Sequence, residues 1–127
     1  HCFVVNNTSS GYGGGLCWCD VNRCYVALNT AEVYGGGIED GTVKNTFVIE
    51  NTSMECGGGV SFVSLINCTV VSNKSSNGGG CYGVGNCMNS IIWDNTLLDG
   101  ITINNYDAIL IDVNDMPISL EISLIMK

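Results

Sequence analysis

The sequence predicts an all-β fold: a parallel β-solenoid, or β-helix, in which one short unit is wound repeatedly on itself. Three observations predict it. Glycine triplets recur as Gly13-Gly14-Gly15, Gly35-Gly36-Gly37, Gly57-Gly58-Gly59 and Gly78-Gly79-Gly80, with starts 22, 22 and 21 residues apart. Asn7, Asn29, Asn51, Asn73 and Asn95 keep a 22-residue register without exception. Between them lie runs such as CYVAL, TFVIE and CTVVS, short and β-branched, which read as strands. Nothing of helical length with a 3.6-residue period separates them.

Each column of the repeat has a physical role. Cys2, Cys24, Thr46, Cys68 and Ser90 form one column, and Val4, Val26, Val48, Val70 and Ile92 another. They are two residues apart, so both can face inward. The flanking columns then face outward: Phe3, Tyr25, Phe47, Thr69 and Ile91, and Val5, Ala27, Ile49, Val71 and Trp93. A one-residue slip would invert both faces. The asparagines tolerate a left-handed turn, and their amides can bond one another as a ladder. The triplets permit positive φ, or a close approach of coils where a Cβ would clash. Leu16, Ile38, Val60 and Cys81 follow them as one apolar column, and Val21, Val43, Leu65 and Cys87 make another. At one strand spacing per coil, about five coils make a rod of roughly 24 Å.

The rhythm fails after Thr96. A fifth triplet should begin at position 100, where the chain has Gly100, Ile101 and Thr102. Residues 1–96 are therefore read as the repeats, and 97–127 as a degenerate last coil and cap. AILIDVN (108–114) suggests a sixth coil. Ile118, Leu120, Ile122, Leu124 and Met126 alternate as one face of a half-buried cap strand. An open solenoid end needs such a cover.

Composition narrows the partners. Twelve acids stand against Arg23, Lys44, Lys74 and Lys127, a net charge of −8. That argues against nucleic acid and anionic membrane. No run of 18 apolar residues occurs, so no membrane insertion by a helix is expected. The chain opens mid-repeat, which is expected of a piece flanked by further coils, so a missing signal peptide is uninformative.

The stretches NCTVVSNKSSNGGGC, NTFVIENTSMECGGGV and NSIIWDNT resemble right-handed parallel β-helix repeat proteins. These include bacterial surface proteins of the polymorphic-outer-membrane-protein and adhesin type, which share a fold with pectate lyases. The resemblance covers about residues 1–96. It implies a right-handed coil, a secreted or cell-surface location, and a structural or adhesive role. The alternative is a segment of a carbohydrate-active, polysaccharide lyase-like enzyme, because the fold hosts both.

Most candidate sites reduce to architecture. A phosphate cradle is needed once, whereas the triplets recur in every coil, and Gly78-x-Gly80-x-x-Gly83 is followed by no helical pattern. Cys17 and Cys19 lack C-x2-C spacing and the only histidine is His1, so no metal or other cofactor is expected. Five cysteines in apolar or inward columns read as small buried hydrophobes, and the disulfide state of Cys17, Cys19 and Cys56 stays open. The sequons at Asn6, Asn7, Asn51, Asn67 and Asn73 follow from an Asn- and Thr-rich repeat, and glycosylation is not expected. A lyase would need acids and a base converging on one face. Glu50 and Asp94 lie two coils apart, and Glu39 and Asp40 about one coil from Asp20. The remaining candidate is the outward stripe. Such an apolar face calls for a cover or a partner: either residues 97–127 or a flanking segment lie on it, or Phe3, Tyr25, Phe47 and Trp93 form a platform for a glycan or a protein surface.

Overall fold

The computed structural model describes residues 1–107 and Leu124–Ile125. Every described element is a strand or a turn, and the strands form three parallel sheets. The first sheet stacks Cys2–Val5, Cys24–Ala27, Phe47–Ile49, Thr69–Val71 and Ile91–Trp93. The second stacks Thr8–Ser9, Thr30–Ala31, Thr52–Ser53, Lys74–Ser75 and Thr96–Leu97. The third is led by the seven-residue strands Ile38–Lys44 and Val60–Ile66, flanked by Leu16–Cys17 and Val21–Asn22 on one side and by Cys81–Tyr82 and Asn86–Met88 on the other. Val4 pairs with Val26, Val26 with Val48, Val48 with Val70 and Val70 with Ile92. Five rungs thus bound four 22-residue turns of a parallel β-solenoid.

The core is the set of columns the repeat predicts. Val26, Val48, Val70 and Ile92 from the first sheet meet Ile38, Val60 and Cys81 and then Val43, Leu65 and Cys87 from the third. All are almost fully buried, while Val4 and Leu16 in the first coil are only partly so. The Cys/Thr/Ser column also turns inward and has a polar duty. The Cys24 N–H donates to the Thr46 hydroxyl (3.3 Å) and the Cys68 N–H to the Ser90 hydroxyl (3.1 Å).

Asparagine carries the corner between the first and second sheets. Each ladder amide donates to the Oδ1 of the next: Asn7 to Asn29 (2.9 Å), Asn29 to Asn51 (3.0 Å), Asn51 to Asn73 (3.0 Å) and Asn73 to Asn95 (2.9 Å). The same Oδ1 atoms take the backbone N–H of the preceding coil's asparagine. One expectation needs correction here. The ladder asparagines are not the left-handed residues; those are their predecessors Asn6, Leu28, Glu50, Ser72 and Asp94, with φ between 53° and 59°. The preceding residue makes the bend, and the asparagine side chain takes up the backbone groups that the bend leaves unpaired.

Two further left-handed corners recur once per coil. One runs through Trp18, Asp40, Phe62 and Gly83, the other through Arg23, Asn45, Asn67 and Asn89. The glycine triplets divide their labour as expected. The first glycine of each has positive φ, and the other two lie where coils meet.

The end of the rod departs from the repeat. The stretch after Asn95 folds back on itself, with an antiparallel bridge between Thr96 and Ile103 and a bond from the Leu97 N–H to the Thr102 carbonyl (2.8 Å). Asn105 then takes the next place in the ladder, accepting from Asn95 Nδ2 (3.1 Å) only 10 residues on. Tyr106–Asp107 pairs with Cys81–Tyr82, and Leu124–Ile125 pairs with Ile91–Ile92. Residues 108–114, and the alternating run 118–126 apart from Leu124–Ile125, lie outside the described residues.

Candidate functional site

The outward columns of the first sheet carry the strongest candidate. Phe3 is 78% exposed and Phe47 51%, with Tyr25 partly covered between them. Register places the three rings on successive rungs. The Phe3 and Tyr25 rings lie 5.7 Å apart, tilted by 50° and so not stacked face to face. A groove of about 410 Å³ opens over them, lined also by His1, Cys2, Arg23, Cys24 and Asn45. Trp93 is exposed but belongs to the neighbouring column, at the last rung, and does not line this groove. Its column is also less open than expected, since Ala27 is buried.

A second aromatic set was not foreseen. Tyr12 and Tyr34 stack at 5.6 Å, Tyr34 and Tyr82 stack at 6.2 Å, and Phe62 meets Tyr34 and Tyr82 edge-on at 5.8 and 5.6 Å. The signal for Tyr12 and Tyr34 was present, because each directly precedes a triplet. Tyr82 and Phe62 come from different columns, and only folding joins them. Here the ring faces are turned on each other, so this stripe binds coil to coil and offers few free faces to a ligand.

The acids form a looser arrangement. Trp18, Cys19, Asp20, Asp40 and Gly41 line a hollow of about 340 Å³ on the third sheet, and Lys44 lines an adjoining one with Asp20. One Asp20 oxygen accepts the Thr42 N–H (3.0 Å). Among the described residues no three His, Cys, Asp or Glu side chains converge as a cation site. Ser72 donates to Asp94 (3.4 Å) on the outer surface, one coil from Glu50.

Cys17 and Cys19 are thiols, not a disulfide. Cys17 is exposed, yet its thiol is pushed up to about 11, first by local burial and then by the Glu39 carboxylate, which accepts its S–H at 3.0 Å. The thiolate is the reactive form, so this thiol is held unreactive at neutral pH. Glu39→Gln removes the charge and is expected to speed Cys17 alkylation several-fold near pH 8. Mass spectrometry of iodoacetamide-treated protein measures this, and an unchanged rate would show that Glu39 does not restrain the thiol.

Compared with known proteins, the chain matches no family model, no curated protein and no solved structure.

Proposed function

We propose that this chain is a non-catalytic segment of a secreted or surface-displayed adhesin-like rod, and that the outer face of its first sheet docks a carbohydrate. The observation that carries the reading is the groove over Phe3, Tyr25 and Phe47. Three successive rungs of the first sheet each carry an aromatic ring, with Phe3 and Phe47 exposed and Tyr25 partly covered between them. Sugars offer an apolar C–H face to such rings while their hydroxyls stay in water. The ladder asparagines give no competing reading, because their side-chain amides are engaged in joining one coil to the next.

The test is binding of the purified chain to a glycan array with calcium present, followed by sizing of any bound glycan. Tyr25→Ala and Phe47→Ala are each expected to weaken binding roughly tenfold or more, as lost stacking on a sugar face would. No binding anywhere on the array would overturn the carbohydrate reading. Shortened glycan would overturn the non-catalytic one and favour an enzyme of the same fold.

A further inference from the structure

We infer that the groove takes an oligosaccharide bearing a single carboxylate, with Arg23 holding the acid; this rests on reading the face as a carbohydrate platform and names the class of sugar it selects. Arg23 lines the groove beside Tyr25 and Asn45. It is one of four Lys and Arg residues in a chain with twelve acids, and its guanidinium forms no ion pair among the described residues. An exposed cation beside an aromatic floor, on an otherwise acidic rod, is a place of opposite charge for an anion. The planar guanidinium fork matches a carboxylate through two parallel N–H bonds.

The repeat marks the same residue. Its corner is left-handed in every coil, and the next three coils fill it with Asn45, Asn67 and Asn89. Asparagine suits that conformation better than arginine does. Those asparagines also form an exposed ladder, with Asn45 Nδ2 donating to Asn22 Oδ1 (2.9 Å) and Asn67 Nδ2 to Asn45 Oδ1 (3.2 Å). Arg23 therefore breaks a local preference at one of the two corners that border the groove, the other being Asn45. Asn45, fixed by both bonds, keeps one amide N–H for a sugar hydroxyl.

The chain's net charge limits the ligand. A field set by −8 opposes a polyanion along the rod, whereas a single carboxylate beside Arg23 is attracted locally. The expected ligand thus has neutral sugars over the rings and one acid at the Arg23 end.

Arg23→Asn gives the decisive variant, because it restores the residue the repeat uses at this corner and is expected to fold at least as well. Lactose, lactose capped with one sialic acid, a glucuronic-acid-capped neutral trisaccharide and polygalacturonate would be titrated against both proteins. The expected result is preference for the mono-acidic sugars and a roughly tenfold to hundredfold loss of that preference in Arg23→Asn, with weak neutral binding unchanged. Equal binding of neutral and mono-acidic sugars, or no effect of Arg23→Asn, would overturn the role of Arg23 and leave the platform standing. Tightest binding of polygalacturonate would overturn the single-acid assignment. Loss of all sugar binding in the parent protein would overturn both.

Discussion

Gly59→Val is expected to leave most of the chain unfolded at room temperature. A Cβ on Gly59 would lie 2.7 Å from the Gly80 carbonyl oxygen, 2.8 Å from Val70 Cγ1 and 2.9 Å from Asn73 Nδ2. Two of these neighbours cannot yield separately. The Gly80 oxygen belongs to the next coil and accepts the Gly59 and Val60 N–H groups at 3.1 and 2.9 Å. Asn73 is fixed by the ladder. The valine must push two coils apart and break both sets of bonds. The cost belongs in the exceptional range above about 4 kcal/mol, against a total stability on the order of 5–15 kcal/mol. Gly11→Ala is the control. Nothing lies within 4 Å of its Cβ and its φ is not positive, so its melting temperature is expected to stay nearly unchanged. Thermal melting followed by circular dichroism compares the two, and similar curves for both variants would refute close coil contact at the triplets.

Asn73→Ala is expected to have the next largest effect. Its Nδ2 donates to Asn95 Oδ1, Val48 O and Val71 O, all within 3.0 Å. Its Oδ1 accepts both the Asn51 N–H (2.8 Å) and Asn51 Nδ2 (3.0 Å). The side chain is wholly buried, so water cannot replace these partners. Each orphaned buried group costs about 1–3 kcal/mol, and several are orphaned together, so a loss of roughly 4 kcal/mol or more is expected. Asn73→Asp refines the test. A carboxylate there could accept from Asn51 but could not donate to Val48 O, Val71 O or Asn95 Oδ1. Burial would raise its pKa in the folded state, so its folded form is favoured in acid and weakens as the pH rises through that raised value. The Asp variant should therefore melt higher at low pH than at neutral pH, relative to the parent protein. An inverse dependence would mean that the site is open to water.

The fold was legible because its causes repeat. A strand face, a bond from one asparagine to the next and a Cβ-free contact are each written four or five times, so register identifies them without a structure. Val48 and Asn51 could be placed in this way. Departures from the repeat could not. Nothing at Asn105 announces a ladder asparagine, since its spacing from Asn95 is 10 residues, set by the fold-back at 97–103. The left-handed bends at Leu28 and Glu50 were also hidden, because neither residue type favours that conformation; the stacked coils impose it. The candidate site was partly legible. Phe3, Tyr25 and Phe47 share a column and do meet at one groove. Trp93 was grouped with them by chemistry, yet its column and rung set it apart. Arg23 stood out in sequence only as a rare cation, and its place beside the rings appears once the third sheet bends back into the first.

Labour is divided between the columns: the inward ones hold the coil together, and the outward aromatic column is the one proposed to bind. Melting of Phe47→Ala measures this most directly, alongside Asn73→Ala as the inward reference. Phe47→Ala, truncating a ring that is 51% exposed, is expected to change stability by no more than about 1 kcal/mol, while Asn73→Ala loses several times that. A loss in Phe47→Ala as large as that in Asn73→Ala would make the outer face part of the core and refute this division.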